Sequence, residues 1–253
     1  MLRPLRERLR DEAPLLAIFS IMRSVEAVEI IALAGFDAVI LDMEHGPYGI
    51  DELGGLILAA RARGIYPIVR VARNEASLIG AALDAGAAGI LVPQIGTVAE
   101  ARMAVSAARF APDGTRGANS WVRAADYGGA PDWFGRANAE AAIILMIEGK
   151  AGLANLAEII AVPGLDGVFL GPVDLSHALG VPGQIDHPSV LDRMRAVIAE
   201  ARMRGLSAAV FAPAIAGARG WLAEGATLVA VGVETGHLRS ALLQVNAAVR
   251  APA

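Results

Sequence analysis

The sequence contains no cysteine and a single lysine, and both shortages restrict the chemistry open to the protein. Without cysteine there are no disulfides, no thiolate nucleophiles and no sulfur-ligated metal sites. Any metal ion must therefore be held by oxygen or imidazole ligands. Of the 22 basic residues, only Lys150 could form a Schiff base with a carbonyl substrate.

Aromatic residues, basic clusters and long apolar runs are scarce as well. Aromatics make up 5% of the chain, the net charge is −4 and the arginines are scattered, which argues against binding to nucleic acid or lipid head groups. The longest apolar run, residues 141–147, is far shorter than the roughly 20 residues needed to cross a bilayer. Charged residues interrupt the first 14 positions, so they predict a surface arm or short helix and no secretory signal. We expect a soluble, cytoplasmic protein whose partners are small molecules.

What the chain does contain is aliphatic residues in a repeating order. Hydrophobic residues make up 55% of the sequence, and short aliphatic runs alternate with longer segments of helical periodicity, the pattern of βα units. The predicted strands cover residues 15–19, 38–41, 65–71, 89–92, 142–147, 167–170, 207–211 and 228–231. The predicted helices cover residues 25–34, 50–63, 76–85, 98–108, 153–160, 189–204, 215–224 and 237–249.

Eight such units in 253 residues predict a single α/β domain over residues 1–253, a (β/α)8 TIM barrel, a fold that typically has about 250 residues. Glycines such as Gly35, Gly86 and Gly225 stand between a helix and the next strand, where a left-handed cap ends the helix. A doubly wound open sheet would show a similar alternation and is the alternative fold. The one irregular stretch, residues 111–139, is interpreted as a long loop after strand four that acts as a lid or interface.

Polar residues lie at the ends of several predicted strands. In a TIM barrel the C-terminal ends of the strands carry the active site, so polar residues at those positions are the candidates for chemistry. They are Asp42, Glu44, His45, Arg70, Glu148 and Asp174.

Glu148 and Asp174 follow neighbouring strands and could offer two carboxylates to one hard cation, leaving positions for water and substrate. Mg²⁺ or Mn²⁺ fits such a site, and Co²⁺ or Zn²⁺ are further candidates. Asp174 could instead be the N-cap of a helix that begins near Leu175. Glu148 could instead be a strand-end acid paired with an arginine.

His45 lies in a loop rich in glycine and proline, where an imidazole can titrate near neutral pH and act as a general base. A loop histidine can also be plain polar surface, but Asp42 at the same strand end favours the catalytic interpretation. Arg70 stands among apolar residues, so its charge must reach the barrel mouth or find a partner. A substrate anion would satisfy it, as would a structural partner such as Glu148.

Several well-separated motifs occur in a fixed order along the chain. They are Asp42-Met43-Glu44-His45-Gly46, Arg70, Leu83-Asp84-Ala85-Gly86-Ala87, Leu91-Val92-Pro93, Ile147-Glu148 and Gly171-Pro172-Val173-Asp174-Leu175-Ser176. Together they resemble the class II, metal-dependent pyruvate aldolases of the HpcH/HpaI family, and the resemblance runs from about residue 17 to residue 248.

The resemblance implies a barrel of the phosphoenolpyruvate/pyruvate type and an aldehyde-lyase that joins a 2-oxo acid, pyruvate or hydroxypyruvate, reversibly to an aldehyde through a metal-stabilised enolate. It implies that Glu148 and Asp174 bind the divalent metal. It further implies that His45 is the base with Asp84 behind it, and that Arg70 stabilises the enolate. The segment Gly171-Pro172-Val173-Asp174, at a helix start, would cradle the substrate carboxylate.

The chain also departs from the family pattern in residues expected to line the substrate pocket. Met146 stands two residues before the metal glutamate, where the family has glutamine, and it cannot supply an amide contact to the substrate. Phe19 and Phe211 stand where a tryptophan and a smaller aliphatic residue are common, so we expect a reshaped acceptor pocket. Arg123, in the long loop, is expected to reach a neighbour's active site and to select acidic or hydroxylated aldehydes.

The resemblance further implies a homohexamer, a trimer of dimers, in which the C-terminal helix at residues 237–249 is exchanged between subunits. A Schiff-base aldolase is disfavoured because Lys150 lies beyond the predicted strand. An oxaloacetate decarboxylase or a citramalyl- or malyl-type lyase would use the same metal and enolate, and stays open. An alternative of another class is a barrel that only binds a ligand or serves as a scaffold.

Overall fold

The centre of the molecule is a closed barrel of eight parallel strands, seen in a computed structural model that describes residues 2–11 and 13–251. Neighbours in sequence are neighbours in space, and β8 pairs with β1 to close the sheet. This closure confirms the (β/α)8 prediction over the open-sheet alternative. The strands are β1 (Leu15–Ser20), β2 (Ala38–Asp42), β3 (Tyr66–Arg70), β4 (Gly89–Val92), β5 (Ala142–Met146), β6 (Gly167–Leu170), β7 (Ser207–Ala212) and β8 (Leu228–Val233).

Every second strand residue fills the inside of the barrel, because successive side chains of a strand point to opposite faces. The interior cluster includes Leu15, Ala17, Phe19, Ala38, Ile40, Ile68, Leu91, Ile144, Met146, Phe169, Ala209, Leu228 and Ala230. The same alternation continued toward the C-terminal ends of β2, β3 and β5 brings Asp42, Arg70 and Glu148 to the upper end of this interior. The side chains that can do chemistry therefore lie directly above an apolar floor.

The other strand face packs against an outer layer of helices and forms the larger aliphatic core. The helices are α1 (Leu5–Arg8), α2 (Val25–Leu33), α3 (Ile50–Ala62), α4 (Ala76–Asp84), α5 (Val98–Ala108), α6 (Trp133–Glu140), α7 (Lys150–Ala154), α8 (Leu156–Ile159), α9 (Pro172–Ala178), α10 (Pro188–Met203), α11 (Ile215–Ala223) and α12 (Glu234–Arg250). The helix predicted at residues 153–160 is thus two short helices that meet at Asn155.

The N-terminal segment forms the short helix α1, but it is not a surface arm. Leu5 and Leu9 are each 1% exposed and pack into the interior cluster at the end where the strands begin. A Cβ added to Gly89, at the start of β4, would lie 3.0 Å from Leu5 Cδ2, so the helix fits tightly under the barrel. Arg6 Nε donates to Asp166 at 2.7 Å, just before β6. Helix α1 therefore closes the end of the barrel opposite the mouth.

The sequence predicted that residues 111–139 form a loop directly after strand four, which would lie at the barrel mouth. The structure corrects this placement. Residues 111–139 connect α5 to β5, so the stretch starts at the end where strands begin, and it contains a 3₁₀ segment (Arg123–Gly128) and most of α6. The guanidinium of Arg116 lies 4.4 Å from the ring centroid of Phe110 and pairs with Asp84. The placement follows from connectivity, because a helix that follows a strand returns the chain to the opposite end.

The C-terminal helix α12 is longer than predicted and lies largely outside the core. It runs from Glu234 to Arg250, and Glu234 is its buried residue. Its exposed apolar side chains are Leu238, Leu242, Leu243, Val245 and Val249. Among residues 2–11 and 13–251, no helix has both the length and the apolar character required to span a membrane.

Candidate active site

A buried ion pair between β2 and β3 forms one side of the barrel mouth. Arg70 Nε and Nη2 donate to the two carboxylate oxygens of Asp42 at 2.8 and 2.6 Å, a bidentate arrangement. Burial alone would lower the pKa of Arg70, but the hydrogen bonds and negative charge of Asp42, followed by the charge of Glu44, raise it above its usual value. The structural partner of Arg70 is therefore Asp42, and not Glu148 as the sequence had offered.

Asp42 also shapes the loop that carries His45. Its Oδ1 accepts the backbone N–H groups of Glu44 at 3.0 Å and of His45 at 3.3 Å. One carboxylate thus holds the guanidinium of Arg70 and the first turn of the loop after β2. The contacts of Asp42 are those of a residue that positions others.

Glu44 and Gln94 extend this polar network toward β5. Glu44 Oε2 lies 3.2 Å from Arg70 Nη1, and Glu44 Oε1 accepts the side-chain amide of Gln94 at 2.9 Å. The backbone N–H of Gln94 donates to Glu148 Oε1 at 2.7 Å. A continuous chain of contacts therefore runs from Asp42 through Arg70, Glu44 and Gln94 to Glu148.

Glu148 is a buried carboxylate that faces other negative charges. Its pKa is raised to about 7, chiefly by burial; the charges of Asp174 and Glu44 also raise it, whereas the hydrogen bond from Gln94 lowers it. In the described part of the chain no arginine or lysine forms an ion pair with Glu148, so the arginine-paired alternative is not what is observed. A cation beside this carboxylate would offset both the cost of burying its negative charge and the repulsion from the neighbouring carboxylates.

Glu148 and Asp174 converge on Gly171, at the end of β6. A Cβ added to Gly171 would lie 3.4 Å from Glu148 Oε2 and 3.6 Å from Asp174 Oδ2, so the bare glycine leaves room between the two carboxylates. Gly171 is the N-cap of α9, and no side chain caps that helix, so Asp174 is not an N-cap. Asp174 is exposed at the mouth, with the exposed Val173 and the buried Pro172 before it.

The protein would supply only part of the coordination shell of a cation bound there. Within the described ranges no group of three or more His, Asp or Glu side chains is preassembled as a metal site. Two carboxylates that follow neighbouring strands leave open positions, as expected for Mg²⁺ or Mn²⁺, which retain water or substrate oxygens. The donor set consists of oxygens, which these hard cations prefer.

His45 is exposed in the loop after β2, on the same side of the barrel as Glu148. Asp84, which the resemblance places behind His45, is the last residue of α4 and forms an ion pair with the buried Arg116. The C-terminal end of α4 leads directly into the start of β4, so Asp84 lies at the end of the barrel opposite the mouth. Within one chain, therefore, the structure does not bring Asp84 and His45 together.

The floor of the mouth is aromatic and sulfur-containing. The ring of Phe19 meets those of Phe169 and Phe211 edge to face, with centroids 5.8 and 5.7 Å apart. The guanidinium carbon of Arg70 lies 4.8 Å from the Phe19 centroid, and Arg70 Nη1 lies 4.0 Å from Met146 Sδ. The Met146 methyl group points to the other side of the site, since it would lie 3.8 Å from a Cβ on Gly171. Met146 thus lies between Arg70 and the carboxylate pair.

A further carboxylate, Glu234, organises the loop after β1. Glu234 Oε1 accepts the backbone N–H groups of Ile21 and Met22, each at 2.6 Å, and the Ser20 hydroxyl at 3.2 Å. Burial raises the pKa of Tyr48, so its hydroxyl stays protonated and donates to Ser20 O at 2.6 Å. These contacts fix the strand that carries Phe19.

Arg123, expected to serve a neighbouring subunit, lies outside its own barrel mouth. Its guanidinium nitrogens would be 3.7 and 3.8 Å from a Cβ on Gly54, a residue of α3. Its position on the outer helices leaves its interaction with a neighbour as a prediction.

Sequence reasoning missed the linking roles of Gln94, Glu44 and Glu234. Glu44 was already a strand-end candidate, and Gln94 follows β4, so the same rule could have selected Gln94 too. Glu234 directly follows β8 and meets the same rule. Their partners could not be read in this way, because those partners come from other strands.

A protein-family model and a curated protein match this chain over most of its length. Residues 16–241 match the family model described as HpcH/HpaI aldolase/citrate lyase. A 5-keto-4-deoxy-D-glucarate aldolase from Salmonella paratyphi C (strain RKS4594) is 39% identical over 222 residues, which cover 88% of this chain and 87% of that protein.

Two solved structures are similar over nearly the whole chain. An HpcH/HpaI aldolase/citrate lyase family protein from Burkholderia cenocepacia J2315 is 37% identical with a TM-score of 0.93, covering 98% of this chain and 99% of that one. A citrate synthase, SbnG, is 29% identical with a TM-score of 0.88, covering 98% of this chain and 97% of that one.

Proposed function

The chain belongs to the HpcH/HpaI aldolase/citrate lyase family, and from that premise we propose that it is a metal-dependent class II aldolase. Such an enzyme is a carbon–carbon lyase, which forms and cleaves the aldol product of a 2-oxo acid and an aldehyde. The observation that carries the proposal is the convergence of the Glu148 and Asp174 carboxylates on Gly171, within one barrel mouth that also contains Arg70. The relative named 5-keto-4-deoxy-D-glucarate aldolase supports a sugar-derived 4-hydroxy-2-oxo acid as the substrate class.

Glu148 and Asp174 would hold a divalent cation, Mg²⁺ or Mn²⁺. The fit rests on the convergence of the two carboxylates on Gly171; burial and the nearby charge of Asp174 also raise the pKa of Glu148, and a cation there would lower it again. When bound, the cation supplies Lewis-acid polarisation of the keto group, which makes the neighbouring carbon acidic. Segment Gly171-Pro172-Val173-Asp174 starts α9 next to this position and would face the substrate carboxylate.

Arg70 would stabilise the negative charge that develops on the substrate oxygen. Asp42 holds its guanidinium from one side through Nε and Nη2, which leaves Nη1 directed toward Glu44 and Met146. A preorganised cation in a buried mouth stabilises an enolate more than a mobile surface arginine would, because no reorientation is needed during the reaction.

His45 would move the proton between the substrate and solvent, since its loop lies at the mouth and the side chain is exposed. Asp84 lies at the far end of its own barrel, so it could support His45 only across a subunit interface. We therefore place the catalytic assistance of Asp84, and the acceptor-selecting role of Arg123, between neighbouring chains.

The exposed apolar face of α12 favours an oligomer, and we propose the hexamer that the family resemblance implies. A groove of about 560 Å³ runs along this helix, lined by Met22, Thr235, Leu238, Arg239, Leu242, Leu243 and Asn246. Such an apolar stripe needs a partner, and a second copy of the helix would supply one. Sedimentation should show a hexamer for the intact chain and smaller species for a Leu242→Asp variant. An intact chain that sediments as a monomer would rule this assembly out.

The donor fits pyruvate better than hydroxypyruvate. Between Arg70 and the carboxylate pair the floor is formed by Met146, with Phe19 and Phe211 beside it. A hydroxyl group on the donor methyl carbon would find no hydrogen-bond partner on these side chains, whereas a methyl group would pack on them.

Metal dependence tests the proposal most directly. Apo-protein should bind Mn²⁺ at one strong site and release pyruvate from 4-hydroxy-2-oxo acids only when a divalent cation is present. The double variant Glu148→Ala, Asp174→Ala should lose both properties, while Glu158→Ala, a change at an exposed residue of α8, should keep both. Wild-type turnover that survives a chelator would refute the metal mechanism, and absence of any metal site would favour a binding or scaffold role. Carbon dioxide release from oxaloacetate without aldol cleavage would point to the decarboxylase alternative.

A further inference from the structure

Gln94 adopts a backbone conformation that residues other than glycine rarely take. Its φ is 57°, in the left-handed region, directly after Pro93 and the end of β4. Asparagine, aspartate and glycine are the residues that usually occupy this region. Such a conformation is unfavourable for a side-chain-bearing residue and persists where surrounding contacts require it, often at functional sites.

Gln94 makes two hydrogen bonds in this conformation. The backbone N–H of Gln94 donates to Glu148 Oε1 at 2.7 Å, and its side-chain amide donates to Glu44 Oε1 at 2.9 Å. Glu44 in turn lies 3.2 Å from Arg70 through its other oxygen. One strained residue thus links the carboxylate proposed to bind the cation with the guanidinium proposed to stabilise the enolate.

We propose that Gln94 is a positioning residue that determines which oxygen of Glu148 faces the cation and holds Glu44 against Arg70. The inference rests on the proposed function and deepens it. With Oε1 engaged by the Gln94 N–H, Oε2 is the oxygen that faces Gly171 and Asp174, lying 3.4 Å from the Cβ position of Gly171. The left-handed turn therefore presents one defined oxygen to the cation instead of a freely rotating carboxylate.

The side chain of Gln94 has a separate task. Glu44 is an acidic group close to Glu148, and its charge contributes to the raised pKa of that residue. If the Gln94 amide did not hold it, Glu44 could turn from Arg70 toward a cation and compete with Glu148 and Asp174 for it. The amide is neutral and donates, so it holds Glu44 without adding a charge to the mouth. Asparagine would satisfy the backbone requirement but is one methylene too short for the contact with Glu44.

Two substitutions separate the tasks. Gln94→Val makes the left-handed conformation unfavourable, because β-branched residues resist positive φ, and should displace the N–H from Glu148. We expect it to weaken Mn²⁺ binding to the apo-protein by roughly 10- to 100-fold, the usual effect of removing a group that orients a metal ligand. Gln94→Asn keeps the turn and should leave Mn²⁺ affinity within about threefold, while lowering kcat about tenfold with little change in KM for the 2-oxo acid substrate.

Asp132→Val is the matched control. Asp132 is an exposed residue with a φ of 48°, and it directly precedes α6, outside the barrel mouth. It should unfold slightly more easily but bind Mn²⁺ as the wild type does. Wild-type Mn²⁺ affinity in Gln94→Val, or wild-type kcat in Gln94→Asn, would overturn the inference. If the wild-type protein binds no Mn²⁺, both the proposed function and this inference fail. If the wild type binds Mn²⁺ and the Gln94 variants match it in Mn²⁺ affinity and kcat, this inference fails and the proposed function stands. Should Gln94→Val not fold, Gln94→Asn decides by its kcat.

Discussion

Replacing Glu148 by glutamine should stabilise the metal-free protein at alkaline pH while removing its metal site. The native environment raises the pKa of Glu148 from its ordinary value of 4.5 to about 7, through burial first and then through the charges of Asp174 and Glu44. Ionisation is therefore harder in the folded than in the unfolded chain. Glutamine resembles the protonated acid, and its carbonyl oxygen can still accept the N–H of Gln94.

The sign follows from proton binding in the two states. Between the unfolded and folded pKa values the native state binds more protons than the unfolded state, so stability falls as pH rises through this window. At about 1.4 kcal/mol for each pKa unit, the ionised side chain destabilises the apo-protein by up to about 3 kcal/mol above pH 7. For a chain of this length, each kcal/mol corresponds to about 2–4 °C in Tm.

Thermal unfolding of apo-protein from pH 5 to pH 8 provides the assay. The Tm of Glu148→Gln should exceed that of the wild type by a small margin at pH 5 and by several degrees at pH 8. Added Mn²⁺ should raise the wild-type Tm at pH 8 and leave the variant unchanged, because ligand binding stabilises only the protein that has the site. Glu158→Gln, at an exposed position on α8, controls for a general charge effect. A variant that is less stable than wild type at pH 8 without metal would refute the reasoning.

Three other substitutions test separate parts of the structure. Met146→Gln should shift the ratio of kcat/KM between pyruvate and hydroxypyruvate about tenfold toward hydroxypyruvate, because the new amide would hydrogen-bond to the donor hydroxyl. An unchanged ratio in assays of aldol addition would exclude Met146 from donor selection. Asp42→Asn breaks a buried ion pair with Arg70, so urea unfolding should show a loss of about 3–5 kcal/mol, and kcat/KM should fall as well; retention of both would mean that Arg70 needs no partner. Leu5→Ala should cost about 2–5 kcal/mol in the same unfolding assay, although Leu5 lies at the end of the barrel opposite the mouth, and a negligible loss would show that α1 is not part of the core.

Much of the architecture could be predicted because its signals are local. Each strand and most helices have their own periodicity, and a run such as residues 142–146 is recognised as a buried strand without knowledge of its neighbours. The strand-end rule also needs only local information, and for that reason it selected Arg70, Glu148 and Asp174 correctly as residues near one mouth. The family resemblance then assigned them roles.

The errors arose where a residue's role depends on distant partners. Nothing in the residues around Arg70 identifies Asp42 as its partner, since the two are 28 positions apart and meet only when β2 and β3 pair in register. The role of Asp84 is not decided within one chain, because α4 carries it to the far end of its own barrel, where it pairs with Arg116, and support of His45 by the Asp84 of a neighbouring chain stays a prediction. The N-terminal charges predicted a surface arm or a short helix; the short helix is confirmed, but only the structure shows that Leu5 and Leu9 fill the open end of the barrel.

By itself, the sequence determined the number and order of the βα units, the exclusion of sulfur ligands from any metal site and the positions at which polar residues could reach the mouth. Only the tertiary structure decided that Asp42 holds Arg70, that Gln94 turns left-handed to orient Glu148, and that Gly171 leaves the space on which two carboxylates converge. The physical reason is that composition and periodicity act over a few residues, whereas these contacts exist only after barrel closure brings residues from different strands within hydrogen-bonding distance.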